Sequence, residues 1–260
     1  MSGPRIHPTA LVAPGAQLDD DVDVEAYALI GPRVCIGGGS RVGAHTVLGG
    51  RTTIGRDNHI FHHASVGVVP QDLKYRGEPS ALVLGDGNIV REFATVSIGT
   101  AGGGMVTRVG DHNMLMNYSH IAHDCQLGNQ VIVANGVQLA GHVIVEDYAV
   151  LGALAAVHQF VKIGESAILG AGAMVSKDVP PFCNATGDRA RLHGLNLVGL
   201  ARRGIDPGVV RDLKRAYRII FRSGLRVAAA VTRARSEIPA SPEVKHFLEF
   251  IQASERGVCR

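Results

Sequence analysis

The sequence predicts an all-β solenoid, a parallel β-helix of hexapeptide repeats, with a C-terminal α-helical domain. Aliphatic residues recur at every sixth position, which is the pattern of such repeats. Aromatic residues make up only 5% of the chain and tryptophan is absent, whereas glycine occurs 33 times. This composition suits regular aliphatic packing. The repeat stops near residue 181 and helix signals follow, so the expected domains are residues 1–185 and 186–260.

The repeat occupies two long stretches in which each sixth residue is Ile, Leu or Val. The first comprises Ile6, Val12, Leu18, Val24, Ile30, Ile36, Val42, Leu48, Ile54, Ile60 and Val66, and its register returns at Leu84, Val90 and Val96. The second comprises Val109, Leu115, Ile121, Leu127, Val133, Leu139, Val145, Leu151, Val157, Ile163, Leu169 and Val175. A period of six fits neither an amphipathic helix nor a hairpin meander. Three hexads would form one triangular coil of 18 residues, with neighbouring coils about 4.8 Å apart.

Two segments interrupt the repeat. Residues 67–83 read GVVPQDLKYRGEPSALV, which is polar, contains two prolines and returns to the hexad register. Residues 101–106 begin with AGGG and shift the register by one. Loops that project from a rigid scaffold often carry function, so both segments are candidates for a binding role.

The C-terminal part begins after Val179-Pro180-Pro181, where the hexads end. Asp206 and Pro207 are typical of a helix start, with a capping carboxylate and proline at the first helical position. Helices are predicted at about 207–223, 226–238 and 242–254. They would cover the end of the solenoid, as repeat proteins require.

The bulk properties exclude several classes of protein. A formal net charge of +3 does not suggest a nucleic-acid-binding protein. The four cysteines are scattered without CxxC spacing, as expected for free thiols in a reducing compartment. No apolar stretch reaches the roughly 18 residues of a membrane span. A cytoplasmic protein without an integral membrane segment is therefore expected.

The 18-residue coil allows spatial neighbours to be read from the sequence. It stacks His123, Gly141 and Gln159 in one column and Asp124 beside His142 in the next. Two further histidines, His120 and His158, fall on the same patch.

This patch suits a base beside an oxyanion donor. Histidine can remove a hydroxyl proton near neutral pH, and Asp124 could orient His123. Gly141 has no side chain to obstruct a ligand, and its backbone N–H could stabilise an oxyanion, as acyl transfer from a thioester to an alcohol requires. The alternatives are a surface histidine ladder without chemistry and a metal site, because solenoid enzymes of the carbonic anhydrase class bind zinc between subunits. HxxxH spacing is absent, which argues against the metal site.

Several motifs together resemble the UDP-N-acetylglucosamine O-acyltransferase family, which carries out the first step of lipid A assembly. They are IHPTA at 6–10, PQDLKYRGEP at 70–79, HIAHDC at 120–125, LAGH at 139–142, AVHQF at 156–160, DVPP at 178–181 and RRG at 202–204. The resemblance implies a left-handed β-helix, an exception to the usual handedness of parallel crossovers. It also implies a homotrimer with sites in clefts between subunits, and no cofactor or metal.

The resemblance also implies roles for individual residues. His123 would activate the sugar 3-hydroxyl, Asp124 would support it, and the Gly141 N–H would face the thioester oxygen. The predicted substrate-binding residues are Asp72, Leu73, Lys74, His120, His142, His158, Gln159, Asn196 and Arg202. Ala171 would limit the acyl-chain length, because long-chain members can have glycine there.

The acyl donor implied by the family is acyl carrier protein, which is acidic. Five basic residues of the first long C-terminal helix could steer it: Arg211, Lys214, Arg215, Arg218 and Arg222.

One departure leaves the acceptor open. The family commonly reads IHRGT where this chain reads Ile98-Gly99-Thr100, so a histidine and an arginine of that pattern are absent. Acylation of a 3-amino sugar nucleotide, giving an amide, is the alternative reaction. A metal-dependent enzyme and a non-catalytic scaffold are the alternatives from other classes.

Overall fold

The computed structural model describes residues 3–260 and is built mainly of very short strands. In chain order these are β1 Arg5–Ile6, β2 Leu11–Val12, β3 Gln17–Leu18, β4 Asp23–Val24, β5 Leu29–Ile30, β6 Val34–Ile36, β7 Arg41–Val42, β8 Val47–Leu48, β9 Arg51–Ile54, β10 His59–Ile60, β11 Ser65–Val68, β12 Ala81–Leu84, β13 Ile89–Val90, β14 Thr95–Ser97, β15 Val106–Val109, β16 Met114–Leu115, β17 His120–Ile121, β18 Gln126–Leu127, β19 Ile132–Val133, β20 Gln138–Leu139, β21 Ile144–Val145, β22 Val150–Leu151, β23 Ala156–Val157, β24 Lys162–Ile163, β25 Ile168–Leu169, β26 Met174–Val175, β27 Cys183–Thr186 and β28 Arg191–Leu195.

The strands form the three faces of a prism. The first sheet runs β1-β4-β7-β10-β13-β16-β19-β22-β25-β27-β28, the second β2-β5-β8-β11-β14-β17-β20-β23-β26, and the third β3-β6-β9-β12-β15-β18-β21-β24. The first corner connects the first sheet to the second, the second corner connects the second sheet to the third, and the third corner closes the coil. Ladders within the solenoid are parallel, and His120 pairs with Gln138 one coil along. The predicted parallel β-helix is confirmed.

The hexad positions point inward and fill the core. From Val24 to Val175 every one of them is buried, with at most 4% of its surface exposed. Ile6 is 42% exposed because the first coil has no coil beneath it. Branched aliphatic side chains dominate because parallel strands place them over one another on both neighbouring coils.

A buried asparagine ladder holds the third corner. The Asn58 side-chain oxygen accepts the backbone N–H of Asn88 at 2.9 Å, and Asn88 accepts that of Asn113 at 2.9 Å. The Asn113 oxygen then accepts the N–H of Val131 at 2.7 Å. The ladder therefore joins coils of unequal length without a break.

Both interruptions of the repeat leave the prism at the second corner. The polar excursion follows β11 and the glycine-rich insertion follows β14, so both connect the second sheet to the third. The predicted limits were too wide: strands β11 and β12 extend to Val68 and from Ala81, which confines the excursion to 69–80. Strand β15 likewise begins at Val106, because it pairs with Ala81, and the insertion contains the 3₁₀ turn Ala101–Gly103.

Four helices follow the solenoid: α1 Leu197–Arg202, α2 Pro207–Arg222, α3 Val227–Glu237 and α4 Pro242–Gln252. The three longer ones match the predicted helices, and the Asp206 carboxylate caps α2 as expected. The antiparallel β27–β28 hairpin and the short helix α1 were not predicted, because no period marks either segment. Within residues 3–260 no helix is long and apolar enough to cross a membrane, and all four cysteines are unpaired.

Polar contacts fasten the helical part to the last coils. His246 of α4 donates to the Glu146 carboxylate at 2.7 Å. Buried Asp178 accepts the Ser254 hydroxyl at 2.6 Å. The hydrogen bond with Glu146 raises the pKa of His246 above its ordinary value, against the opposing effect of burial. The two parts are therefore joined by a titratable contact.

The His246 contact makes stability depend on pH. Because its pKa is raised on folding, the stabilisation is complete below about pH 6.5 and is lost as pH rises through the folded pKa. We expect His246→Gln to lower the melting temperature more at about pH 5.5 than at about pH 8.5. Thermal melts at both pH values test this, with His7→Gln at the exposed N-terminal end as the control. Equal losses at both pH values would contradict the prediction.

Candidate functional site

The second corner carries the histidine patch predicted from the coil length. Residues 122–125, 140–143 and 158–161 form this corner in three successive coils. The two loops described above lie on the coils immediately before it. The second corners of successive coils form one long edge of the prism, here called the ridge. The structure thus brings the polar excursion, the glycine-rich insertion and the patch to this ridge.

His123 and Asp124 form a directly bonded pair. Nδ1 of His123 lies 2.8 Å from Oδ2 of Asp124, whose side chain has no exposed surface. The Thr100 hydroxyl donates to the same carboxylate at 2.6 Å, and the Thr100 N–H donates at 3.0 Å. The backbone N–H of Asp124 donates to the hydroxyl of Thr107 at 2.8 Å. A buried carboxylate with this many donors has a fixed orientation and can fix the imidazole beside it.

Gly141 lies directly against the His123 ring. A β-carbon at position 141 would be 2.5 Å from Cε1 of His123, so only glycine leaves the ring in this place. Within residues 3–260 the Gly141 N–H has no hydrogen-bond acceptor. A free backbone donor next to an oriented imidazole is the arrangement that the sequence predicted.

His142 is the second imidazole at this corner. Its ring meets that of His123 edge to face with centroids 5.0 Å apart, and Phe160 stacks on its other side at 4.4 Å. Burial lowers the pKa of His142, while the negative charge of Asp124 and, more weakly, that of Asp72 act to raise it. Asp72 of the excursion is therefore close enough to affect the site electrostatically.

His120 lies on β17 and faces outward beside the site. Its Nδ1 is 2.7 Å from the Thr95 hydroxyl on the preceding coil. Burial lowers the pKa of His120, and the nearby His123 ring acts in the same direction. A neutral His120 can therefore accept or donate a hydrogen bond without adding charge.

His158 and Gln159 are exposed on the next coil of the same corner. Nδ1 of His158 lies 3.2 Å from a guanidinium nitrogen of Arg256, near the C-terminus of the chain. The end of the helical part therefore reaches the same ridge.

The excursion and the insertion hold each other. The Glu78 carboxylate accepts the N–H of Ala101 at 3.0 Å. Asp72 accepts the N–H of Lys74 at 2.9 Å, while Leu73 is 95% exposed at the tip of the loop. Asp72, Leu73 and Lys74 thus form a turn in which Leu73 and Lys74 are exposed and Asp72 is half-buried.

Three predicted residues lie away from the second corner. Asn196 caps α1 and donates to the Ser166 carbonyl at 2.9 Å, at the third corner. Arg202 is exposed at the end of α1. Ala171 is exposed at the first corner. Asn196 and Ala171 therefore lie at different corners of the prism from His123.

Sequence reasoning missed Thr100, Thr107, Phe160 and Arg256. Phe160 lies one coil after His142, so the 18-residue register could have found it. Thr100 could not be found in this way, because the insertion lengthens its coil and the contact with Asp124 spans 24 residues. Arg256 belongs to the helical part, which has no repeat register.

Three side chains of the site offer ligand atoms to a metal ion. Atoms of His123, Asp124 and His142 lie within 4.8 Å of one another. The expectation that HxxxH spacing is needed was therefore too strict, because neighbouring coils bring the two histidines together.

Two family models match parts of the chain. A family model described as Udp N-acetylglucosamine O-acyltransferase; Domain 2 matches residues 178–259, and one described as bacterial transferase hexapeptide (six repeats) matches residues 107–141. Proteins from Anaeromyxobacter dehalogenans and Thiobacillus denitrificans are each 51% identical over 255 residues, covering 98% of this chain and 99% of the relative. Both are named acyl-[acyl-carrier-protein]--UDP-N-acetylglucosamine O-acyltransferase.

Solved structures give the same result. LpxA from Acinetobacter baumannii superposes with a TM-score of 0.96 at 41% identity, and UDP-N-acetylglucosamine acyltransferase from Campylobacter jejuni with 0.93 at 42%. Each comparison covers 98% of this chain and 99% of the other. The fold is a left-handed parallel β-helix with a C-terminal helical domain.

The Thr100 contacts make a prediction about stability. Thr100→Val removes the hydroxyl donor from a buried carboxylate, so we expect the free energy of unfolding to fall by about 1.5–3 kcal/mol. Urea denaturation measures this change. Thr100→Ser keeps the hydroxyl and should lose much less. A Thr100→Val variant that is as stable as wild type, or less destabilised than Thr100→Ser, would reject the contribution of the hydrogen bond.

Proposed function

This chain belongs to the UDP-N-acetylglucosamine O-acyltransferase family, and from that premise we propose that His123 is its general base. The chain is an acyltransferase that transfers an acyl group from acyl carrier protein to UDP-N-acetylglucosamine, the first step of lipid A biosynthesis. The observation that supports the assignment of the base is the contact of 2.8 Å between His123 and buried Asp124.

The proposed reaction uses both nitrogens of the His123 ring. Its Nδ1–H donates to Asp124, which leaves the lone pair of Nε2 free to take the proton of the sugar 3-hydroxyl. The sugar oxygen then attacks the thioester carbonyl carbon, and the Gly141 N–H stabilises the resulting oxyanion. Collapse breaks the carbon–sulfur bond. His123 returns its proton to the departing thiolate, and the acyl group remains on the sugar as an ester.

The remaining predicted residues are proposed to bind substrate. Asp72, Leu73 and Lys74 would contact the sugar nucleotide from the excursion. Four residues of the ridge would line the sugar and acyl-chain cleft: His120, His142, His158 and Gln159. Asn196 and Arg202 would hold the donor or the nucleotide phosphates, for which a guanidinium suits planar charged recognition.

We propose a homotrimer, because the residues assigned to one site lie on three different corners of the prism. Copies packed side by side could bring a second corner next to another copy's first corner or helical part. A stacked column of exposed rings supports this at the first corner, with centroids 5.0–5.1 Å apart: Tyr27, His45, His63, Phe93 and Tyr118. A contiguous column of exposed rings is typical of a surface that contacts another protein. A monomer in analytical ultracentrifugation at assay concentration would contradict the proposal.

The acyl carrier protein is proposed to dock on α2. The five basic side chains of this helix are all exposed, and Arg215 also contacts Asp212 and the Glu237 carbonyl. The other four cations are the better candidates for an acidic partner. A donor KM that is unchanged in the double variant Arg211→Glu, Arg218→Glu would contradict this.

The unpaired cysteines favour a cytoplasmic location, which we also propose.

Formation of an amide with a 3-amino sugar remains the second candidate reaction. The absence of the family's histidine and arginine before Gly99 is the observation that favours it. The same base would serve either acceptor.

Replacing the base tests the proposal directly. We expect His123→Ala to lower kcat by about 10²–10⁴-fold, because the acceptor loses its proton acceptor in the transition state. Mass spectrometry of the acylated product, with 3-hydroxy and 3-amino acceptors and a series of 3-hydroxyacyl carrier proteins, gives the rate, the acceptor and the preferred donor together. His7→Ala is the control. A His123→Ala variant that keeps its activity would reject the assignment.

The assignment of Ala171 makes a separate prediction. If its methyl group limits the acyl pocket, Ala171→Gly should shift the preference between donors that differ by two methylenes roughly 10-fold toward the longer one. Competition between the two donors, read by mass spectrometry, measures this ratio. Ala153→Gly makes the same change one coil earlier and should leave the ratio unchanged. Equal ratios in wild type and Ala171→Gly would reject the role.

A further inference from the structure

We propose that His123, Asp124 and His142 form a binding site for a first-row transition-metal ion such as Zn²⁺, and that the bound ion inhibits the enzyme. The binding is argued from the geometry of these side chains. The inhibition additionally rests on the proposed role of His123 as the base. The ion is thus a ligand that competes with catalysis, and the reaction does not use it.

The ligand set is two imidazoles and one carboxylate, a combination that suits zinc and its neighbours. The Nδ1 atoms of His123 and His142 lie 2.8 and 4.0 Å from the same oxygen, Oδ2 of Asp124. All three ligand atoms lie within 4.8 Å of one another. Zinc binds such atoms at about 2.0–2.2 Å, so shifts of about 1 Å or less in the side chains would close the site.

The surroundings already hold two of the ligands in position. Thr100 donates its hydroxyl and N–H to the Asp124 carboxylate, and Phe160 stacks on the His142 ring. Ligands of metal sites are typically oriented by such outer contacts.

The site is accessible from solvent on one side. The side chain of His123 is 15% exposed and that of His142 is 18% exposed, while Asp124 is fully buried beneath them. An ion could therefore enter between the two rings and keep water as its fourth ligand. Three protein ligands and one open position are common for zinc.

Coordination would remove the base without removing the residue. An ion bound to Nδ1 of His123 replaces the proton shared with Asp124, and the neutral ring then carries its proton on Nε2. The Nε2 lone pair that would accept the sugar proton is no longer available. The acceptor hydroxyl therefore cannot be activated while the ion is bound.

Cobalt tests the binding without any activity measurement. Co²⁺ substitutes for zinc, and a site with imidazole and carboxylate ligands gives visible d–d absorption. We expect wild type to bind one Co²⁺ per chain with a saturable band, which Zn²⁺ displaces. His142→Ala should weaken binding roughly tenfold or more. His158→Ala, on the same ridge but outside the ligand set, should bind as wild type does.

His142→Gln repeats the test with a side chain of similar size if the alanine variant does not fold. A missing band in folded wild type, or a band equally strong in both His142 variants, would overturn the site.

Activity then tests the consequence. Zn²⁺ should inhibit acyl transfer by wild type over the concentration range in which it displaces Co²⁺, and a chelator should restore the rate. In His142→Ala the residual activity should need roughly tenfold more Zn²⁺ for the same fractional inhibition. If Zn²⁺ displaces Co²⁺ from the His142-dependent site but does not slow an active wild type, the inhibition is rejected and the binding site stands. Wild type without activity in metal-free buffer would instead contradict the proposed function, and the Co²⁺ result would still stand.

Discussion

The backbone ladder between successive coils is the constraint on which the rest of this structure depends. Each coil must pair with its neighbours on three faces at about 4.8 Å. Side chains at the same place in successive coils are therefore close neighbours whatever their distance along the chain. His142 meets His123 and Phe160 for this reason alone. The site is a product of register, because no local motif could place these three rings together.

The same constraint explains how much could be predicted from the sequence. The solenoid, its buried hexad positions and the grouping of His123, Asp124, Gly141 and His142 followed from a period of six and a coil of 18. The three long helices followed from helix signals such as Asp206-Pro207. Contacts across a coil that is longer than 18 residues could not be predicted in this way. Thr100 contacts Asp124 across the insertion, and the 18-residue period does not predict a contact over that sequence separation. The β27–β28 hairpin was also missed, because it has neither hexads nor a helical period.

The residues proposed for the site are distributed over the three corners of the prism. The second corner holds the rigid pair of His123 and Asp124, and the two loops at this corner contact each other through Glu78 and Ala101. Asn196 and Ala171 lie on other corners, so one chain by itself presents only part of the proposed cleft. In the proposed homotrimer, such a division would couple assembly to substrate recognition, while the proposed base and its carboxylate stay within a single chain.

The asparagine ladder of the third corner has a consequence for how such proteins can change. It runs through the coils that contain the excursion and the insertion, across sequence separations of 30 and 25 residues, and its hydrogen bonds stay at 2.9 Å. Added residues at the second corner therefore leave the opposite corner undisturbed. Such a chain can gain, lose or exchange loops at the second corner by insertion and deletion. The structural change is then confined to one edge of the prism. Insertions are therefore tolerated at the corner where loops with a new binding specificity could form.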